Sequence, residues 1–131
     1  MTNFKLIISW TARLLAAFIL LQTLYFKFSG VEESVYIFSK LGIEPWGRYA
    51  SGIVELMAAV LILIPAYTGL GALIAGGVMT GAIFSHFSIL GIEIHQDGGL
   101  LFLYAVIVFT CSVYLVVEKR NTIPIIGKYF I

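Results

Sequence analysis

Apolar residues run along this chain in four long blocks, at about residues 6–28, 47–65, 67–91 and 98–117, with short polar breaks between them. Each block reaches the roughly 20 residues that a helix needs to cross about 30 Å of hydrocarbon. The blocks lack the period-two alternation of barrel strands, and a helix satisfies its own backbone groups in lipid. The pattern therefore predicts an all-α protein, an integral membrane four-helix bundle that runs up-down-up-down. Only Pro65-Ala66-Tyr67-Thr68 separates spans two and three, and the stretch IEIHQDG separates three and four, so both pairs are antiparallel neighbours. The first connection, residues 29–46, is longer. In it Val31, Val35, Phe38 and Leu41 recur at helical spacing between Glu32, Glu33 and Lys40, which predicts a short amphipathic helix at the interface.

Composition agrees with this reading. Of 131 residues, 60% are hydrophobic and 11% charged, with a mean hydropathy of +1.02, whereas soluble domains carry about 25% charge. The expectation is one transmembrane domain over residues 1–131. The first block follows Lys5 like a signal core, but Arg13 interrupts it and it continues to Phe28. That exceeds a signal core of about 7–15 residues, so it is read as a retained span. A net charge of +1 without a basic stripe excludes nucleic acid as a partner and leaves membrane lipid. The single cysteine, Cys111, excludes an internal disulfide, a CxxC pair and a cysteine metal cage. Lys5, Lys119, Arg120 and Lys128 fall on one side of the spans, with Lys40 and Arg48 on the other. The positive-inside rule then puts both termini in the cytoplasm. The last residues, IPIIGKYFI, are too short to span and are expected along the inner surface.

The few polar residues inside the spans carry the chemical signal. Glu55 lies about 12 Å below the outer end of span two and His86 about 7 Å below that of span three, at 1.5 Å per residue. Lys27 closes span one at the same end, and His95 and Asp97 introduce span four. An ionisable group in hydrocarbon is costly, so it faces the bundle interior and finds a partner. Lys27, Glu55 and His86 are the candidate ligand-binding residues, with His95, Asp97 and Arg13 secondary. Helical phase supports a stripe of Arg13, Ala16, Leu20, Thr23 and Lys27 on span one, and of Ser51, Glu55 and Ala58 or Ala59 on span two. Small-residue ladders on span three, Ala72-Gly76-Thr80 and Gly77-Gly81-Ser85, are expected to pack closely and bring His86 to its neighbours. Each residue also has a plain structural role. Glu55 with Lys27 is a helix-register ion pair, Asp97 an N-cap, and Arg13 snorkels inward or pairs with Glu118. Tyr104, Ile107, Cys111 and Tyr114 form a packing stripe on span four. No metal site is expected, because the H-x-x-x-H or C-x-x-C spacing is missing.

Taken in order, several short motifs resemble the DoxX family of small four-helix membrane proteins. They are Arg13, Phe26-Lys27-Phe28, Gly52-Ile53-Val54-Glu55-Leu56, Gly81-Ala82 with His86, and Asp97-Gly98-Gly99 with Phe102. The family takes its name from a membrane subunit of an archaeal thiosulfate:quinone oxidoreductase, and relatives are linked to redox and oxidative-stress systems. The resemblance implies the fold first and a redox association second. The expectation is a protein of the bacterial cytoplasmic (inner) membrane, a redox-accessory subunit that binds a quinone or similar lipophilic ring without a covalent cofactor. Its partner is a redox protein or a second copy of itself. The alternative is a non-catalytic assembly or chaperone-like membrane protein in which the ion pair is purely structural. A proton-coupled carrier is disfavoured, because no broken helix or inverted repeat is visible.

Overall fold

A computed structural model describes residues 3–92 and 98–123. Five helices form in chain order: α1 (Asn3–Ser29), α2 (Glu32–Lys40), α3 (Trp46–Leu63), α4 (Thr68–Ser85) and α5 (Leu100–Glu118). A π-helical turn, His86–Leu90, extends α4, and a 3₁₀ turn, Pro65–Tyr67, joins α3 to α4. Helices α1, α3, α4 with its flanking turns, and α5 are each long and apolar enough to cross a membrane. They pack in a closed ring, α1 on α3, α3 on α4, α4 on α5 and α5 on α1. Large apolar side chains such as Phe4, Phe18, Phe84 and Phe87 point outward. That arrangement suits a bundle solvated by hydrocarbon.

The core is built on small residues. Ala16, Ala58, Ala59, Ala72 and Ala75 are fully buried. Lipid tails are as apolar as any side chain, so helices in a bilayer associate through close van der Waals packing, which small residues permit. The closest approach is at Gly71 of α4, where an added Cβ would lie 2.6 Å from the Ile62 nitrogen and 2.9 Å from the Ala58 carbonyl oxygen. Thr68 Oγ1 donates to the Ile62 and Ile64 carbonyls at 2.9 and 3.1 Å, which closes the end of α3 against the tight turn.

This corrects the expectation about span three. The second ladder does not carry the packing, since Gly77 and Gly81 are exposed; of the first, Ala72 is fully buried and Gly76 faces Ser112 of α5, but Thr80 is exposed. Nothing lies within 4 Å of a Cβ added at Gly77 or Gly81. The buried stripe of α4 instead runs through Thr68, Ala72, Ala75 and Met79 to His86. On α5 the buried stripe is Ala105, Val108, Ser112 and Leu115, with Tyr104 and Cys111 only partly buried on its edge.

Helix α2 lies where the connection between spans one and two was expected to be amphipathic. It touches α1, α3 and the π turn, and buries Ser34 and Phe38 against them. It therefore roofs one end of the bundle as well as presenting Glu32, Glu33 and Lys40 outward.

Candidate ligand site

Lys27 sits in the last turn of α1. The carbonyls of a helix C-terminus lack intrahelical partners, and here Arg48 supplies one. Its Nη1 donates to the Lys27 carbonyl at 2.5 Å, while its Nε donates to both Glu44 carboxylate oxygens at 3.0 and 3.1 Å. The pair anchors the end of α1 to the start of α3. From that anchored turn the Lys27 ammonium reaches Glu55 Oε1 at 2.5 Å, and stands 5.6 Å from the centre of the Phe38 ring. Glu55 is 2% exposed. Its second oxygen, Oε2, is buried and has no hydrogen-bond partner among the described residues.

His86 opens the π turn. Its Nδ1 lies 2.8 Å from the Gly91 carbonyl oxygen, and a carbonyl only accepts, so Nδ1 carries the hydrogen. The neutral ring then offers Nε2 as an acceptor. The Gly91 N–H donates back to the His86 carbonyl at 2.8 Å, which closes the π turn and fixes the imidazole in one tautomer. Gly91 adopts φ +81° and ψ 168°, a backbone region that is essentially restricted to glycine and costs other residues on the order of 1–3 kcal/mol. The Phe102 ring meets the imidazole edge-on, with centroids 5.4 Å apart.

Lys27, Glu55 and His86 line one cavity of about 330 Å³ in the end of the bundle roofed by α2. Ser51 and Tyr104 add polar edges, and Leu20, Phe38, Met79 and Val108 are among its apolar walls. A chamber of that size, mostly apolar with a few convergent polar groups, suits a small organic ring. The three groups divide their roles. The ammonium donates, and Glu55 Oε2 and His86 Nε2 accept.

The secondary residues are not all gathered here. Arg13 does not line the cavity; it lies fourteen residues before Lys27, about 21 Å along the helix at 1.5 Å per residue. It is 3% exposed rather than snorkelling, its guanidinium stands 4.4 Å from the Trp10 ring centre, and its Nε has no hydrogen-bond partner among the described residues. No direct salt bridge joins it to Glu118 among the described residues, although the two charges stand close enough to interact. That carboxylate accepts from Ser9 and Tyr114, each at 2.7 Å, and lies 3.6 Å from Lys119. His95, Asp97 and Lys128, with the expected course of the tail, lie outside the described residues.

Four contributors escaped the sequence reading. Arg48 entered it only as a charge; its partner Glu44 lies in the turn before α3, outside the helix, so no helical spacing rule pairs the two. Tyr104 was assigned to packing, and Ser34 and Phe38 to an interfacial helix, yet all three line the cavity. No spacing rule shows that an amphipathic helix will fold back over a bundle.

Comparison with curated proteins and with solved structures returned no significant match. A family model, described as the DoxX-like family, matches residues 11–111. That range holds Lys27, Arg48, Glu55 and His86 together with the roof helix and most of every span. The chain is a multi-pass helical membrane protein and belongs to the DoxX-like family.

Proposed function

We propose that the protein is a redox-accessory membrane subunit whose cavity binds a quinone or similar lipophilic ring. The observation that carries this reading is the convergence of Lys27, Glu55 and His86 in one apolar chamber of about 330 Å³. A quinone carbonyl accepts a hydrogen bond from Lys27, and the two hydroxyls of the reduced ring find acceptors in Glu55 Oε2 and His86 Nε2. When an electron-accepting redox partner oxidises the bound hydroquinone, its two protons pass to these acceptors and its two electrons to the partner. Glu55 Oε2 and His86 Nε2 are acceptors that the hydroxyls of the hydroquinone can use and the carbonyls of the quinone cannot. The excess of Lys and Arg near the termini supports cytoplasmic ends in a bacterial inner membrane, with the cavity in the outer leaflet half.

The test is equilibrium binding of decyl-substituted benzoquinone and its hydroquinone to the purified protein in detergent. Glu55→Gln and His86→Ala each weaken hydroquinone binding by about tenfold, the loss of roughly one charged hydrogen bond. Unchanged affinity in both folded variants overturns the reading. A second reading, a non-catalytic assembly protein, is favoured by the outward face of Gly77 and Gly81, where another helix has room to approach. Cross-linking in mild detergent that returns only monomer removes it.

A further inference from the structure

Helices α3 and α4 are not parallel partners along their length. At the tight turn they touch through Gly71, where a Cβ would collide with the α3 backbone. Farther along α4, Val78, Ala82 and Ser85 return to within about 40° of the Gly71 direction at 100° per residue, and all three line the cavity. The side of α4 that meets α3 at the turn therefore borders the chamber nearer the roof. Gly81 lies about 80° from that direction, away from the buried stripe, and nothing stands within 4 Å of a Cβ built there. Gly81 is exposed on the outer surface and also lines the cavity. Ser85, one turn later, and Ser51 on α3 line it too. The chamber thus has a side opening at the level of the bilayer, and the buried Glu55 carboxylate with its unpartnered Oε2 lines the same chamber. Toward the roof the lining is different in kind, because the exposed carboxylate Glu33 of α2 borders the cavity there.

We propose that the gap between α3 and α4 at Gly81 is a lateral gate through which a lipophilic ring passes from the bilayer into the cavity. This rests on the reading of the cavity as a ring-binding site. A ring dissolved in lipid meets an apolar slot at membrane depth and needs no passage through water. The route past Glu33 would take it beside an exposed charge. Glycine at position 81 keeps the slot open, since any larger side chain there projects into it.

Gly77 provides the control. It too has open space around an added methyl group and is exposed, but it does not line the cavity. The experiment is stopped-flow quenching of Trp fluorescence by decyl-benzoquinone, comparing wild type, Gly81→Leu and Gly77→Leu in detergent. In Gly81→Leu the association and dissociation rates both fall by about tenfold or more while the equilibrium constant stays within about threefold, and Gly77→Leu matches wild type. Equal rates in wild type and Gly81→Leu overturn the gate. So does weakened affinity without slower dissociation, which would mean that residue 81 fills the site itself. Equal slowing in both variants also overturns it, and marks this face as covered by another helix. If the wild type binds no quinone at all, the ring-binding reading fails and the gate fails with it.

Discussion

Lys27 and Glu55 hold each other in place at the end of α1 and the middle of α3. Both are largely removed from solvent, so neither is indifferent to losing the other. Truncating one member of a buried pair leaves an uncompensated charge, typically at a cost of about 3–5 kcal/mol, whereas replacing both with apolar residues is often close to neutral. Lys27→Met and Glu55→Leu are therefore each expected to destabilise the bundle strongly, and the double variant much less than their sum. Reversible unfolding of the three variants in mixed micelles measures this. His86 depends on its neighbour in another way. Gly91→Ala places a side chain on a backbone of φ +81° and ψ 168°, a region essentially restricted to glycine, at a cost on the order of 1–3 kcal/mol, and loosens the carbonyl that holds the imidazole. It is expected to lower the melting temperature modestly and to weaken hydroquinone binding, although residue 91 does not line the cavity.

At the level of elements, glycines on one helix do opposite work. Gly71 is the contact between α3 and α4, and a methyl group there meets the Ile62 nitrogen at 2.6 Å and Leu61 Cβ at 2.8 Å. Gly71→Ala is expected to destabilise by about 1–3 kcal/mol, the usual cost of overpacking a close contact. Gly77→Ala meets nothing and should be neutral, or stabilising by up to about 1 kcal/mol from helix propensity alone. Thermal unfolding of the two variants side by side checks both signs. Comparable losses at the two positions would mean that the outer face of α4 is itself a packing surface. The π turn at the end of α4 also has a definite task. It lets Gly91 fold back on His86 and directs the imidazole inward beside Phe102.

For the whole molecule, the ring of four spans is narrow where alanines and Gly71 meet. It widens toward the roof, which leaves a chamber under α2. Orientation follows from charge rather than packing. With Cys111→Ala as background, Lys40→Cys on the exposed side of α2 is expected to react with a membrane-impermeant maleimide in intact cells. Arg120→Cys is expected to react only after permeabilisation. The reverse pattern would place the chamber on the cytoplasmic side.

Four helices, their lengths and the places of Glu55 and His86 along them were legible in the sequence, because hydrophobic run length and the 1.5 Å rise are local properties of the chain. So was the convergence of acid, base and imidazole at one end, since short connections force neighbouring spans to alternate. The hydrogen-bond partners were not. That Arg48 ties down the turn bearing Lys27, that Gly91 sets the His86 tautomer, and that Arg13 rests on Trp10 without a direct bond to Glu118 all depend on side-chain directions in three dimensions. Periodicity also misassigned the small residues of α4, because glycine allows close approach without requiring it. Only the crossing of α3 and α4 decides that Gly71 is filled by a neighbouring backbone and Gly81 is left open.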